Sequence, residues 1–329
     1  MKDNFNLKEI INKLTPESRV IWERIFNWRE IEVNLEQLPE KYSDFKKQKI
    51  IFIQDKILDQ EAIFNFSRQK RPQPQKKEEE EIDDPFCHYQ TETPIDELGR
   101  LEGQFVTTAA NLSKMADYHS LLIFKKHQFD FLDSNDFKEA IEISQQWFQK
   151  IKNYDPAIQT QILIWNYHYR SGASILHPHF QLLAYKEIPI KLKFLFERFK
   201  NYQTNFTNHY LNDYCQLAQE LGLGEKIGNF NFWFSLTPPK EKGLFFYGDL
   251  NNVFIWQIIK KLNQLGTESF NLFFIVESPL LNNFGFFVDR GKTTKLNSDI
   301  GSLELFGLPV ISTNPFELAE ELFNNFSLD

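Results

Sequence analysis

Residues 134–185 constrain the fold more than any other stretch of this chain. "SNDFKEAIEISQQWFQKIKNY" repeats apolar residues at helical spacing: Phe137, Ile141, Ile143, Trp147, Phe148 and Ile151 follow a cap at Ser134 or Asn135. Two strand-like runs come directly after it, "QTQILIWNYHY" and "HPHFQLLAY", separated by a loop of small residues. Two more, "GQFVTTAAN" and "DYHSLLIF", come before. Strand, helix, strand, loop, strand is not the regular alternation that builds a doubly wound sheet. The pattern predicts an α+β fold with antiparallel sheets.

The rest of the chain repeats this style. Residues 7–30 read as two helices, with Pro16 at the first turn of the second. "QKIIFIQDKI" reads as a strand over 48–57, and "AIFNFSRQ" at 62–69 alternates and is placed to pair with it. Lys70–Asp84 is a charged loop rich in proline and glutamine. Beyond residue 190 come a long helical region, four aromatic strands ("NFNFWFSLT", "GLFFYG", "SFNLFFIVE", "FGFFVDRG") and two helices, the last capped by Asn314 with Pro315 behind it. A chain of 329 residues suggests about two domains, cut here at 1–190 and 191–329.

Composition excludes several classes of function. A net charge of −8 argues against nonspecific grip on nucleic acid. Two distant cysteines, Cys87 and Cys215, make no disulfide framework. The opening "MKDNFNLKEIINKL" has charges among its apolar positions, unlike a signal peptide, and no apolar run reaches the ~20 residues of a bilayer span. The expectation is a soluble, cytoplasmic protein without a membrane partner.

The chemistry concentrates in "HPHFQ", residues 177–181. In a strand, residues two apart share a face, so His177 and His179 project together. Proline removes one ladder donor, which predicts an edge or a break in the sheet at Pro178. The preceding Ser171-Gly172-Ala173-Ser174 is small enough for a phosphate to approach backbone N–H groups. Two ordinary histidines on a surface strand, a metal site, or a nucleophile with its support all satisfy this pattern taken alone.

"WNYHYRSGASILHPHFQLLA" resembles the active-site segment of galactose-1-phosphate uridylyltransferases, in the histidine-triad (HIT) superfamily, with Asn166, Gly172, Ser174, His177, His179 and Gln181 at matching spacing. "DPFC" resembles the family's Cys-x-x-Cys with Asp84 in place of the first cysteine. "FKKHQFDFLDSNDFKEAI" and "DIGSLELFGLPVISTNPFELAEEL" resemble further family segments. The likeness covers most of residues 84–323 and little of 1–83. It implies two HIT-like halves, each an antiparallel sheet with packed helices, and a nucleotidyl-enzyme mechanism belonging to galactose and wider carbohydrate metabolism. His179 would attack the α-phosphorus of a nucleoside diphosphate sugar, and a sugar phosphate would take the nucleotide off again. Gln181 would bind the phosphoryl oxygens, with Asn166, Gly172 and Ser174 positioning the diphosphate. Asn111 sits where a family asparagine follows a strand, and Glu304 where a family glutamate touches the hexose. Family members commonly pair as homodimers.

The resemblance also implies a structural zinc held by Asp84, Cys87, His127 and His177. Aspartate for cysteine leaves two alternatives: a mixed carboxylate–thiolate–imidazole site, or a lost metal with Cys87 as a small buried residue. His88 and His119 are read as ordinary histidines, and His209 and Cys215 as structural. Arg290 and Lys292 are candidates for the phosphate of a second substrate. Phe180 stands where the uridylyltransferases usually have glycine. It keeps open a nucleotide phosphorylase, acting on a dinucleoside polyphosphate or a nucleoside diphosphate sugar. A non-catalytic nucleotide- or metal-binding protein is the rival from another class.

Overall fold

The computed structural model describes residues 6–34, 46–67, 84–96, 98–112, 114–248, 252–294, 307 and 309–324. Its elements run α1 (Leu7–Asn12), α2 (Pro16–Ile25), β1 (Phe26–Asn34), β2 (Lys47–Asp55), β3 (Gln60–Phe64), α3 (Tyr89–Glu92), β4 (Val106–Ala110), β5 (Tyr118–Phe124), α4 (Ser134–Tyr154), β6 (Thr160–Tyr167) and β7 (His179–Tyr185). They continue as α5 (Ile190–Phe206), α6 (Tyr210–Glu220), β8 (Gly224–Ile227), β9 (Phe230–Phe234), β10 (Leu244–Gly248), α7 (Asn252–Gln264), β11 (Phe270–Glu277), β12 (Phe284–Asp289), β13 (Val310–Ile311) and α8 (Pro315–Phe323). The expected α+β class with antiparallel pairing is what the chain adopts. Among the described residues no helix is long and apolar enough to cross a membrane. The charged loop falls, up to Asp83, outside the described residues.

The chain forms two compact units, each discontinuous in sequence: residues 1–75, 195–246 and 295–329 make one, 76–194 and 247–294 the other. In the first, β1, β2 and β3 form an antiparallel sheet, with β13 added parallel to β3. Residues 26–30, expected to continue a helix, are instead in β1. Helix α2 stops at Ile25, and nine residues from Phe26 to Asn34 pair with β2. The β-branched Ile31 and Val33 suit that ladder, and long-range pairing overrides the local helical period. Asp55, at the end of β2, is fully buried. Its Oδ1 accepts the N–H groups of Ile57 and Leu58, both at 2.9 Å, and its Oδ2 accepts Tyr210 Oη–H at 2.5 Å. Burial outweighs these bonds and pushes the carboxyl up to about 6.

The second unit holds the sheet that matters for function. Its strands lie in the order β4-β5-β7-β6-β11-β12, all antiparallel neighbours. Helices α4 and α7 pack on each other and supply the core with Phe137 and Trp256, stacked at 5.6 Å. Asp133, rather than Ser134 or Asn135, caps α4: it accepts from Asn135 N–H at 2.7 Å while Asp136 reaches back to its own N–H at 2.7 Å. Side chains alternate across the sheet. Phe180 points into the core against Phe124, Phe137 and Trp165, with ring centroids 5.2, 5.7 and 4.9 Å away. His179 and Gln181, its neighbours in β7, therefore take the opposite face.

Candidate active site

Pro178 lies just before β7, and β7 is a central strand between β5 and β6, neither an edge nor a break. The ladder survives because a side chain replaces the missing donor. Phe124 N–H donates to Pro178 O at 3.2 Å, as an antiparallel pair requires. The return bond, which proline cannot make, comes from His177: its Nε2–H donates to Phe124 O at 2.6 Å. A carbonyl only accepts, so this contact fixes the ring's proton on Nε2 and leaves a lone pair on Nδ1.

That lone pair points into a cluster. His177 Nδ1 lies 3.2 Å from Asp84 Oδ2 and 3.8 Å from Cys87 Sγ. His127 Nδ1 lies 3.1 Å from Asp84 Oδ2 and 3.2 Å from Cys87 Sγ. Asp84 Oδ2 and Cys87 Sγ are 3.8 Å apart, and all four ligand atoms fall within 4.8 Å of one another. Tetrahedral bonds of ~2.1 Å to nitrogen or oxygen and ~2.3 Å to sulfur give edges of about 3.4 and about 3.6 Å, close to this spacing. The turn at 84–87 prepares the carboxylate: Asp84 Oδ1 accepts the N–H groups of Phe86 (2.7 Å) and Cys87 (3.1 Å), so only Oδ2 faces the cluster. Burial lowers the pKa of His177, and a neutral ring presents its lone pair to a carboxylate lone pair. Such a contact calls for a cation between the two. The residues fit a metal, and Cys87 is exposed rather than buried as the metal-free alternative required.

His179 stands one step along the same face. Its Nδ1–H donates to His177 O at 2.8 Å, leaving Nε2 as the ring atom with an available lone pair. Burial holds its pKa down to about 4, so the imidazole is neutral. Phe86 packs edge-on against both histidines, at 5.8 Å from His177 and 5.0 Å from His179. A positioned neutral imidazole beside amide donors is equipped for nucleophilic displacement at phosphorus.

Gln181 is buried, and its Oε1 lies 3.0 Å from Nε2 of His119, which is itself 1% exposed. His119, read as an ordinary surface or core histidine, is a buried one that lies against Gln181. Asn111 touches the same ring, Nδ2 to Nε2 3.1 Å, beside Gln181. Asn166 is half-buried near the end of β6, paired with Asn271 on β11. Gly172 and Ser174 are exposed in the loop between β6 and β7. Gly172 has φ +91°, which favours glycine. Arg290 turns inward, Nη1 donating to Asn271 Oδ1 at 2.5 Å. Phe180 is a core residue, so its size carries no information on the second substrate. Glu304 lies outside the described residues.

No protein-family model matches the sequence, and no curated protein matches it. Solved structures do match. An ADP-glucose phosphorylase from Arabidopsis thaliana with bound ADP-glucose aligns with a TM-score of 0.65 at 16% identity, over 85% of this chain and 99% of that one. A GalT-like protein from the same plant gives 0.62 at 16% identity, over 84% and 99%. A uridylyltransferase gives 0.56 at 11% identity, over 82% and 96%. The chain has the uridylyltransferase-like fold.

Within the uridylyltransferase-like fold, the "HPH" and "DPFC" segments are far apart in sequence and adjacent in space, as the resemblance implied. His119 and Asn271 carry no motif of their own, and Phe86 is an unspecified position within "DPFC". The only signal for His119 was its strand face, shared with Leu121 and Ile123 on β5, next to the histidine face of β7.

Proposed function

We propose that this protein is a nucleotidyltransferase that passes a nucleoside monophosphate from a nucleoside diphosphate sugar to a sugar 1-phosphate through His179. His179 Nε2 attacks the α-phosphorus, a P–N bond forms, and the bond to the bridging oxygen breaks with departure of the sugar 1-phosphate. An oxygen of the second phosphate then attacks the same phosphorus, the P–N bond breaks, and the neutral imidazole returns. No net proton is consumed. Gln181 and Asn166 hold the phosphoryl oxygens, Gly172 and Ser174 flank the diphosphate, and Asn111, against the His119 ring, joins them in binding substrate. The observation that carries this reading is the bond from His179 Nδ1–H to His177 O, which directs the lone pair to Nε2 on the face shared with Gln181.

Asp84, Cys87, His127 and His177 would hold a structural zinc. It would supply rigidity: the three sequence segments that hold it would be tied at the base of β7.

A phosphorylase, with inorganic phosphate as the acceptor, is the second reading. The likeness to an ADP-glucose phosphorylase at TM-score 0.65 supports it. One experiment tests both. The protein is incubated with UDP-glucose or ADP-glucose, and intact mass is read for an acid-labile nucleotidyl adduct. The labelled protein is then given galactose 1-phosphate or inorganic phosphate. Discharge by the sugar phosphate supports the transferase, and discharge by phosphate alone supports the phosphorylase. No adduct with either nucleotide sugar refutes nucleotidyl transfer through His179.

A further inference from the structure

Two amides border the His179 face, and the atoms that hold each of them can be bonded in one direction only. Met115 N–H lies 3.1 Å from His119 Nδ1. A backbone N–H cannot accept, so Nδ1 must be the acceptor, and the proton of the neutral ring sits on Nε2. Burial lowers the pKa of His119 and keeps it neutral. The Nε2 proton is then donated to the oxygen of Gln181, at 3.0 Å, and the Asn111 amide atom 3.1 Å from the same nitrogen must be its oxygen, so both amides accept from this ring. The free end of the Gln181 amide is its NH₂ group.

The second chain ends in one-way groups at both sides. Arg290 Nη1, which only donates, lies 2.5 Å from Asn271 Oδ1, and Ser171 O, which only accepts, lies 2.9 Å from Asn271 Nδ2. Asn271 therefore cannot flip. Its Nδ2 also lies 2.7 Å from Asn166, so the Asn166 atom facing it must be Oδ1. Again the free end is an NH₂ group. Neither Gln181 Nε2 nor Asn166 Nδ2 has a hydrogen-bond partner among the described residues.

We infer that His119 and Asn271 are positioning residues that set the polarity of the two amides, so that Gln181 and Asn166 both present N–H donors to a phosphate at His179. This rests on the nucleotidyl-transfer reading. Phosphoryl oxygens only accept hydrogen bonds, so an amide turned the other way would set oxygen against oxygen. The fold commits one side chain to each amide, the buried His119 and the half-buried Asn271, to forbid that orientation before substrate arrives.

The test is a pair of double-mutant cycles, read by single-turnover labelling of His179 with UDP-glucose or ADP-glucose, whichever labels the native protein. His119→Phe keeps a flat ring but loses the donor, and should slow labelling about tenfold to a hundredfold, the scale of one hydrogen bond to a charged group. His119→Gln can accept from Met115 and donate to Gln181 with the same polarity, and should stay within about threefold of native. In a Gln181→Ala background, His119→Phe should cost nothing further. Asn271→Asp exchanges the donor facing Asn166 for an acceptor. It should slow labelling by a similar factor, and not additively with Asn166→Ala. Melting temperatures separate these effects from unfolding. Equal losses for His119→Phe and His119→Gln, or double variants whose losses multiply, overturn the inference. If the native protein is not labelled, the nucleotidyl-transfer reading fails by itself. The same cycles are then read by calorimetric binding of ADP: non-additive weakening supports the positioning roles, while additive weakening or no binding overturns them.

Discussion

Replacing Phe180 tests whether this residue belongs to the reaction or to the core. Its side chain is fully buried among Phe124, Phe137 and Trp165 on the face opposite His179. An aromatic ring hides ~200 Å² of apolar surface, worth about 5 kcal/mol at ~25 cal/mol per Å². Phe→Ala changes in packed cores cost ~3–5 kcal/mol, and glycine in a strand adds ~1 kcal/mol. Phe180→Gly should therefore destabilise the protein by about 4–6 kcal/mol, a large part of the ~5–15 kcal/mol that holds typical domains together. Phe180→Leu, which keeps most of the volume, should cost about 1 kcal/mol and remain active. Urea unfolding measures the stabilities. Rates of discharge to galactose 1-phosphate and to inorganic phosphate, compared between Phe180→Leu and native protein, measure acceptor choice. Unchanged acceptor preference with a large stability loss for glycine is expected. Native stability in Phe180→Gly, or an altered acceptor ratio in Phe180→Leu, would refute the assignment of this side chain to the core.

The remaining predictions concern the histidines, the cluster and one buried acid. His179→Gly should keep its fold and lose nucleotidyl transfer by several orders of magnitude, with partial rescue by imidazole or a nucleoside phosphorimidazolide. His177→Gly should lose stability and show no rescue; matching stability and rescue profiles for the two would contradict their separate roles. Protein purified without chelator should carry about one zinc by elemental analysis, and His127→Ala should release it and lower the melting temperature. A zinc-free protein of full stability would remove the metal. Asp55 has its folded-state pKa raised from 3.8 to about 6, so its contribution is fully present below pH 3.8 and is lost as pH rises through 6. That rise corresponds to about 3 kcal/mol. Urea unfolding between pH 4 and pH 8 should show Asp55→Asn gaining on native protein by about this amount as pH increases; a pH-independent difference would count against it.

The fold class and the central motif were legible because both rest on local periodicity. The helical spacing from Phe137 to Ile151 and the strand alternation around His179 survive into the structure with small shifts. The four ligand atoms were legible only through the resemblance, since 84–87, 127 and 177 meet through the sheet and not along the chain. Two readings failed where tertiary pairing decided the outcome. Residues 26–30 carry a helical period but pair with β2, and Pro178 reads as an edge or a break because a central position needs a donor that its own residue does not supply. His119 and Asn271 were hard to read for a different reason. Each acts through another side chain, so no motif marks it, and His119 showed only its strand face.

The rung at Pro178 has a consequence for transplanting this site. His177 Nε2 stands in for a backbone donor opposite Phe124, so the imidazole is both part of the sheet's wiring and a member of the Asp84 cluster. A graft that copied only the side chains of Asp84, Cys87, His127, His177 and His179 onto another scaffold would leave the ring without its anchor. The portable unit is instead a triplet on a central strand plus one carbonyl from the neighbouring strand. In that unit the residue with no functional group of its own, the proline, is the one that vacates the acceptor. Substituting alanine there would restore a competing N–H to the same oxygen, and the ring's tautomer would no longer be dictated by the backbone.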